Sequence, residues 1–250
     1  MRRQVGLLAA LLLGAAFFPV SAAAQKCPDI KVPDVQGAEQ FCHEGYISFY
    51  DADLKVPLLV AYELTWSHSL GCEARQSSFH GEGDSAKESE YSGSGYDLGH
   101  MSPAQDNATK DLSYDSFSMV NVAPQLPGLN RDEWEQLEAT VRAWALQRKN
   151  LLIYVGSVLP AKPDKMKGTG VAIPTAFFKI VVDVNTNEVL AFELPQQAIA
   201  KGDLQPWLTT VQQITKDTGI KFDVNPSGKT IWPADTQAWN KAHKESCGGK

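Results

Sequence analysis

Pairs of β-rich segments are the feature that most constrains how this chain can fold. Residues 46–51 (YISFYD) and 56–65 (VPLLVAYELT) flank a short polar turn, and residues 176–184 (AFFKIVVDV) and 188–194 (EVLAFEL) flank an Asn-Thr-Asn turn. Runs of β-branched and aromatic residues bounded by turn residues are typical of hairpin strands. Residues 151–159 (LLIYVGSVL) predict a further strand. Hairpins of this kind imply a sheet that is largely antiparallel.

Two other segments have the pattern of helices. Residues 129–149 place apolar side chains at helical spacing, and Asn130 stands where it could cap the helix. Residues 202–219, with Pro206 near the start, predict a second helix. Residues 66–95 are polar and glycine-rich and predict a long loop. Because strands outnumber helices and do not strictly alternate with them, the predicted class is α+β, with a central, mostly antiparallel sheet flanked by helices.

The first 24 residues have the features of a secretory signal peptide. A positively charged start (MRR) precedes the apolar run VGLLAALLLGAAFFPV, and small residues follow it. A membrane anchor is the less favoured alternative, because the run is short for a bilayer span and ends in an A-x-A pattern. We expect residues 1–24 to be removed near Ala24, leaving one domain over residues 25–250 that is secreted or periplasmic and has no membrane partner.

The cysteine content and the charge fit an exported, acidic protein. Four cysteines allow three disulfide pairings, among which the sequence does not choose; we favour Cys27–Cys42 with Cys72–Cys247. Their spacing is unlike that of a zinc site, since no Cys-x-x-Cys is present. The formal net charge of −6 argues against nucleic-acid binding by bulk electrostatics. A polyanionic partner would need a local basic patch or a metal ion.

Four polar residues together supply what hydrolysis of a phosphodiester requires. His100, in YDLGHMSPA, can take a proton from water near neutral pH. Asn130 offers an amide oxygen to a hydrated Mg²⁺, and Glu138, further along the same predicted helix, can orient a water. Arg75 can balance the negative charge that develops on the phosphate. Each residue alone has a simpler explanation: a turn histidine, a helix cap, an exposed helix acid and a surface arginine.

Three motifs follow one another in this part of the chain: DLGH, then NVAPQ, then LNRDEWEQLE. The series resembles the DNA/RNA non-specific endonucleases of the ββα-metal type, the endonuclease G-like family, whose members carry DRGH, N-[VI]-x-P-Q and LN-x-x-x-W-x-x-LE. VAIPTAFFKIV, residues 171–181, is similar to a later strand of that family. The resemblance begins near Cys27. It implies a ββα-metal nuclease fold and an endonuclease that cuts DNA and RNA without strong sequence preference.

The resemblance also implies a role for each motif residue. His100 corresponds to the general base. Asn130 corresponds to the one protein ligand of a hydrated Mg²⁺, for which Mn²⁺ could substitute, and Glu138 to the glutamate that holds a metal-bound water. Asp97 and Asn121 correspond to residues that support the site without binding the metal.

One motif position departs from the family. Leu98 stands where DRGH has an arginine, which in the family helps to stabilise charge around the scissile phosphate. Leucine has neither a donor nor a charge, and the loss of such a contact would cost about 2–4 kcal/mol of transition-state stabilisation. Arg75, in a loop where family members often have a phosphate-binding arginine, and Arg131 are the candidate substrate-binding cations. Lys179 is a third cation that could compensate for Leu98.

Two other functions stay open on the residues alone. Leu98 and the acidic charge would suit a catalytically weakened, nuclease-like module that binds nucleic acid or a protein partner. A phosphodiesterase for another phosphate ester would use the same catalytic groups. The full set of His100, Asn130 and Glu138 favours the endonuclease, because a binding module has no need for it.

Overall fold

The computed structural model of the protein describes residues 27–248. The predicted signal peptide, residues 1–24, lies outside the described residues. The described helices are α1 (Lys110–Ser116), α2 (Trp134–Arg148), α3 (Val211–Thr218) and α4 (Thr236–Ser246). The described strands are β1 (Glu39–Cys42), β2 (Ile47–Asp51), β3 (Val56–Thr65), β4 (Asp97–His100), β5 (Val122–Gln125), β6 (Asn150–Val158), β7 (Ala176–Asp183) and β8 (Val189–Pro195).

Six of these strands form the main sheet, in the order β1-β2-β3-β6-β7-β8, and every neighbouring pair is antiparallel. Both predicted hairpins are present, as β2–β3 and β7–β8, and the predicted strand at 151–159 is β6. The α+β class with a central antiparallel sheet is therefore confirmed.

Apolar side chains cover both faces of the main sheet, because successive residues of a strand point to opposite sides. On β6, Leu151, Ile153 and Val155 belong to the core that also contains Trp134 of α2. Tyr154 points the other way, into a second core that contains the apolar residues of α3. The sheet thus lies between the two helices, and α2 is fixed over its centre.

The small sheet formed by β4 and β5 leads directly to α2. β4 is the DLGH segment, with Asp97 at its start and His100 at its end. Residues 116–125 predict a short strand that runs into a turn at Pro124, but in the structure Pro124 lies within β5. A proline fits there because β5 pairs only with β4 in the described part of the chain, so no further strand needs its N–H. A π-helical turn, Leu129–Glu133, then continues into α2, which completes a ββα unit.

Several helix expectations need correction. Asn130 does not cap α2; it lies inside the π-helical turn, and its side chain bonds Asp97 and not a helix N–H. The helix predicted over residues 202–219 is shorter, because Thr210 caps α3 and only a three-residue turn, Gln205–Trp207, precedes it. The sequence also fails to predict β1, α1 and α4, which are short or contain few large apolar residues.

The two disulfides are Cys27–Cys42 and Cys72–Cys247, which confirms the favoured pairing. The second joins the long loop after β3 to the end of α4, across 175 residues. Closing a chain segment of that length is worth about 5 kcal/mol in the chain-entropy treatment of the unfolded state. Among the helices within residues 27–248, none is both long and apolar enough to span a membrane.

Candidate active site

A cleft of about 800 Å³ lies where the small sheet, the start of α2, the long loop after β3 and the end of α4 meet. The structure brings most of the predicted site residues together here, although they are far apart in sequence. Asn121 is the exception and does not line the cleft. The predicted residues that do are Arg75, Asp97, His100, Asn130, Arg131 and Glu138, with Leu98 beside them.

His100 is almost enclosed, with 7% of its surface exposed. Its ring centroid lies 5.1 Å from that of Phe79 and 4.8 Å from that of Phe117. The ring forms a hydrogen bond with the backbone of Leu98, and Nε2 has no partner among the described residues. Burial, and then the charge of Arg75, lower the pKa of His100 to about 3. The ring is therefore neutral near pH 7, with a nitrogen that can accept a proton.

Arg75 is exposed on the long loop, and its guanidinium lies 5.3 Å from the ring centroid of Phe117. The same Phe117 ring meets His100 edge-on. The Phe117 ring therefore contacts both the Arg75 guanidinium and the candidate base, His100. This arrangement places Arg75 where an anion bound beside His100 would feel its charge.

Asn130 and Asp97 are joined across the cleft. The Asn130 amide donates from Nδ2 to Asp97 Oδ2 over 3.0 Å, so its Oδ1 is left as an acceptor. Asp97 also accepts from Arg131, at 2.7 Å from Nε and 2.5 Å from Nη2. Burial favours a higher pKa for Asp97, but these hydrogen bonds outweigh it and hold the pKa below its ordinary value. Asp97 is thus an anion that fixes which end of the amide can bind a cation.

Glu138 lies on α2, eight residues and a little over two turns after Asn130. Its side chain is only partly exposed and lines the cleft. Burial raises the pKa of Glu138 to about 7, against the opposing charges of Lys179 and Arg142. This carboxyl group therefore changes protonation close to neutral pH.

Asn121 is fully buried behind the cleft. Its Nδ2 donates to the backbone carbonyls of Ser102 and Ser116, and its Oδ1 accepts from the Ser102 N–H, each over 2.8 Å. These bonds fix the chain that leaves β4 just after His100. The geometry suits the predicted supporting role, which stays a prediction.

Leu98 is partly buried and packs against the main core, and it lines the cleft without a charge. Lys179 cannot replace the motif arginine, because it is fully buried and does not line the cleft. Of the three cations suggested by the sequence, Arg75 and Arg131 reach the cleft. Arg131 is already paired with Asp97 there.

Sequence reasoning missed the buried charges below the cleft. Arg142 pairs with Asp106 over 3.3 Å, and the Tyr62 hydroxyl donates to Asp106 over 3.1 Å. Arg142 stands four residues after Glu138 on α2, and that spacing could have marked it as a neighbour. Nothing in the sequence marks Asp106, since its partners come from distant segments.

The cleft also fits a hydrated divalent cation. No three His, Cys, Asp or Glu side chains gather into a metal-binding group within residues 27–248. Mg²⁺ does not need such a cage, because it keeps most of its waters and binds through one or two oxygens. The free Oδ1 of Asn130 and the carboxylate of Glu138 are oxygens of the required kind, in one cleft.

The known proteins that this chain resembles in sequence are nucleases. The family model described as DNA/RNA non-specific endonuclease matches residues 30–228. Nuclease C1 of Cunninghamella echinulata is 34% identical over 148 residues, which are 53% of this chain and 59% of the relative. A nuclease of Nostoc sp. is 32% identical over 155 residues, 56% of each chain. Human mitochondrial endonuclease G is 27% identical over 203 residues, 73% of this chain and 68% of the relative.

The matches to the first two relatives span less than two thirds of their length. Among solved structures, the EndoG/EndoGI complex contains a chain with a TM-score of 0.69 and 24% identity. That likeness covers 76% of this chain and 87% of the other. At this identity it establishes the shared fold.

Proposed function

The chain belongs to the DNA/RNA non-specific endonuclease family, and we propose that it is a Mg²⁺-dependent endonuclease that hydrolyses phosphodiester bonds in DNA and RNA. One observation carries the proposal. A neutral histidine with an unpartnered Nε2, an amide with a free oxygen and a partly buried carboxyl group share one cleft. They are His100, Asn130 and Glu138.

His100 is the proposed general base. Its Nε2 accepts the proton of the water that attacks phosphorus, and the bond to the Leu98 backbone holds the ring in place. A pKa near 3 describes the free cleft, where burial and Arg75 disfavour the charged ring. A bound phosphodiester brings a negative charge beside the ring, which raises the pKa of His100 toward the range where a base works.

Asn130 would hold the divalent ion through Oδ1, and Glu138 would hold one water of its hydration shell. When bound, such an ion stabilises negative charge on the phosphate and on the leaving oxygen. Asp97 keeps the Asn130 amide turned with its nitrogen inward, through the 3.0 Å hydrogen bond. Mn²⁺ offers similar coordination and is expected to substitute.

Arg75 and Arg131 are the proposed phosphate contacts. The Arg75 guanidinium contacts the Phe117 ring, which also contacts His100, so Arg75 can reach a scissile phosphate bound beside His100. Arg131 is 69% exposed and keeps its Nη1 free of Asp97, so it can meet a neighbouring phosphate. Contacts to phosphate carry no sequence code, which supports cleavage without strong sequence preference.

We further propose that residues 1–24 form a signal peptide and that residues 25–250 act as one secreted or periplasmic domain. Two disulfides support an oxidising compartment, because cytosolic thiols are normally kept reduced.

A second candidate is a catalytically weakened module that binds nucleic acid or a protein. Leu98 is the observation that favours it, since the cleft lacks the cation that the family motif provides. It differs from the enzyme in one accessible property: binding by a module would persist in EDTA, whereas cutting by the enzyme would stop.

The decisive test is digestion of plasmid DNA and of RNA by the purified mature chain, with Mg²⁺ and with EDTA. His100→Ala should abolish cutting, and His68→Ala, which changes a histidine outside the cleft, should cut like the wild type. Retention of DNA in EDTA without any cutting in Mg²⁺ would favour the binding module. Turnover of a small diester without cutting of long nucleic acid would point to another phosphodiesterase.

A further inference from the structure

The helix α4 packs beside the long loop that carries Arg75, and the proposed mechanism does not yet use it. α4 begins at Thr236, beyond residue 228, where the match to the family model ends. Its one buried side chain is Trp239, and His243 and Cys247 follow at intervals of four residues, so all three lie on one side of the helix. His243 and Cys247 line the cleft. α4 is therefore a wall of the cleft that lies outside the family motifs.

Two rings of α4 bind the backbone at the start of this loop. Trp239 donates from Nε1 to the Ser69 carbonyl over 3.0 Å. The His243 ring stacks on Trp239, with the ring centroids 5.0 Å apart, and its Nε2 donates to the Gly71 carbonyl over 2.8 Å. The guanidinium of Arg142, on α2, lies 5.1 Å from the centroid of the Trp239 ring. Trp239 therefore joins α4 both to α2 and to the loop.

Two further contacts at the end of α4 extend this hold to the neighbouring loop residues. The Ser246 hydroxyl donates to the Leu70 carbonyl over 3.3 Å. The disulfide then joins Cys247 to Cys72. Each of residues 69–72 is thus bound to α4 or to the cysteine that ends it, and we call these contacts the α4 clamp.

The part of the loop that carries Arg75 has few contacts of its own. Residues 73–78 make no backbone-to-backbone hydrogen bond within the described part of the chain. The backbone is next fixed at His80, whose N–H donates to the Phe117 carbonyl over 3.1 Å. Arg75 is exposed between these two points, with its guanidinium 5.3 Å from the centroid of the Phe117 ring. The place of Arg75 therefore depends on the α4 clamp at one end of the span and on His80 at the other.

We propose that the α4 clamp positions Arg75 beside the candidate base, with Trp239 and His243 as the positioning residues. Both act through the loop backbone, which they fix just before Arg75. The inference rests on the proposed function to the extent that Arg75 contacts the scissile phosphate. The competing explanation is that α4 only stabilises the fold. His243 also lines the cleft, whereas Trp239 does not, so Trp239 is the residue to vary.

The expected size of the effect follows from the length of the loop. Loss of the clamp would extend the unfixed span from residues 73–79 to residues 66–79, which is roughly a doubling. The entropy of an unfixed loop grows with the logarithm of its length, so a doubling lowers the chance of finding Arg75 at the Phe117 ring by about threefold. The substrate would have to restore that order when it binds, so the loss should affect KM more than kcat.

Trp239→Ala is the variant that releases the clamp. Because Trp239 is the one buried side chain of α4 and belongs to neither core of the main sheet, its removal should detach the helix and leave those cores packed. Asn240→Ala, which changes the exposed neighbour of Trp239 on α4, is the matched control.

Trypsin under native conditions measures the release directly, because it cleaves after an arginine in a mobile segment. Cleavage after Arg75 should be about threefold faster in Trp239→Ala and unchanged in Asn240→Ala. Cleavage after Lys87, an exposed lysine further along the same loop, measures general loosening of the fold and should not change. Equal acceleration at Arg75 and Lys87 would mean that α4 only stabilises the fold, and the proposal would be overturned.

A double-mutant cycle on activity shows whether α4 acts through Arg75. Trp239→Ala should lower kcat/KM on plasmid DNA by about threefold in the wild-type background, mainly through KM, and should leave it unchanged in Arg75→Ala. A loss of the same size in both backgrounds would overturn the positioning role. A wild-type chain that never cuts DNA would instead overturn the proposed function, and the trypsin result would still decide whether α4 holds the loop.

Trp239→Phe covers the case in which Trp239→Ala does not fold. It keeps an aromatic ring at this position and removes only the donor to the Ser69 carbonyl. Cleavage by trypsin after Arg75 should then rise by about twofold, because one hydrogen bond of the clamp is lost, while cleavage after Lys87 stays the same. A rate after Arg75 equal to that of the wild type would contradict the clamp.

Discussion

His43 should make the stability of this protein fall between neutral and alkaline pH. It lies in the turn between β1 and β2, with 3% of its side chain exposed. Its ring meets Glu82 at 2.9 Å and Asp115 at 3.5 Å, and it stacks on Tyr46. Burial alone would lower the pKa of His43, but the two carboxylates outweigh it and raise the pKa to about 9.

The sign and size of the effect follow from the two pKa values of His43, about 9 when folded and 6.5 as its ordinary value. Below pH 6.5 both states carry the proton, and the full contribution, about 3 kcal/mol at 1.36 kcal/mol per pKa unit, is present. As the pH rises through 9 the folded state also loses the proton and the contribution disappears. Between pH 7 and pH 9 the loss is about 2 kcal/mol.

Urea unfolding of the wild type and of His43→Gln, at pH 7 and at pH 9, measures this directly. The stability difference between the two proteins should shrink by about 2 kcal/mol over that range. His68→Gln leaves the cluster intact and should follow the wild type at both pH values. A difference that stays constant between pH 7 and pH 9 would refute the assignment of a charged His43. Because Glu82 lies on the loop that also carries Arg75, the cutting activity should become more sensitive to temperature at pH 9.

Three further predictions concern the cleft. Leu98→Arg should raise kcat/KM on plasmid DNA by about 10²-fold, since it restores a donor of the kind whose loss costs that much; an unchanged rate would mean that this position does not limit catalysis. Reduction of Cys72–Cys247 should raise KM more than kcat, because this disulfide lines the cleft and anchors the loop that forms one of its walls. As a control, opening Cys27–Cys42 by Cys27→Ser with Cys42→Ser should leave KM unchanged. Asp97→Ala should raise the Mg²⁺ concentration for half-maximal activity by about 10-fold or more, because it releases the Asn130 amide; an identical Mg²⁺ titration would argue that Asn130 is oriented by other contacts.

The sequence predicted the parts of the fold that depend on local pattern. The strands β2, β3, β6, β7 and β8 and the long helix α2 all have strong apolar runs or a clear helical period, and all are present. The elements that it missed are set by tertiary contacts. α4 has one buried residue, Trp239, and it is held in place by the disulfide at Cys247 and by the bond from Trp239 to the Ser69 carbonyl. No local pattern contains such information.

The sequence likewise predicted some residues of the candidate site and missed the surroundings of others. The motif residues could be named from sequence because DLGH, NVAPQ and LNRDEWEQLE resemble, in the same order, the motifs of the non-specific endonuclease family. The sequence predicts that Asn130 caps α2, but Asn130 lies inside a π-helical turn. An asparagine just before an apolar helical segment is compatible with both, so the sequence does not distinguish them. Lys179 stands in an apolar run, and the sequence suggests it only as a cation that could compensate for Leu98. Only the pairing of β7 with its neighbours shows that it is buried under α2.

The charge of the cleft bears on how an acidic chain holds a polyanion. Along the described walls of the cleft, the arginine and lysine side chains are Arg75 and Arg131, and they face the carboxylates of Asp97, Glu135 and Glu138, with Glu73 on the loop. Arg131 is already neutralised by Asp97. The protein alone therefore offers a phosphate backbone little net positive charge. Salt-sensitive nucleic-acid binding needs several cationic contacts to phosphate, which this cleft does not provide.

A divalent ion would reverse that balance, because it adds two positive charges next to Asn130 and Glu138. We therefore expect substrate affinity, and not only the rate of cutting, to depend on the divalent ion. A binding module should retain DNA in EDTA, and a cleft with so little positive charge of its own is poorly suited to that, so the enzyme is the better account of this cleft.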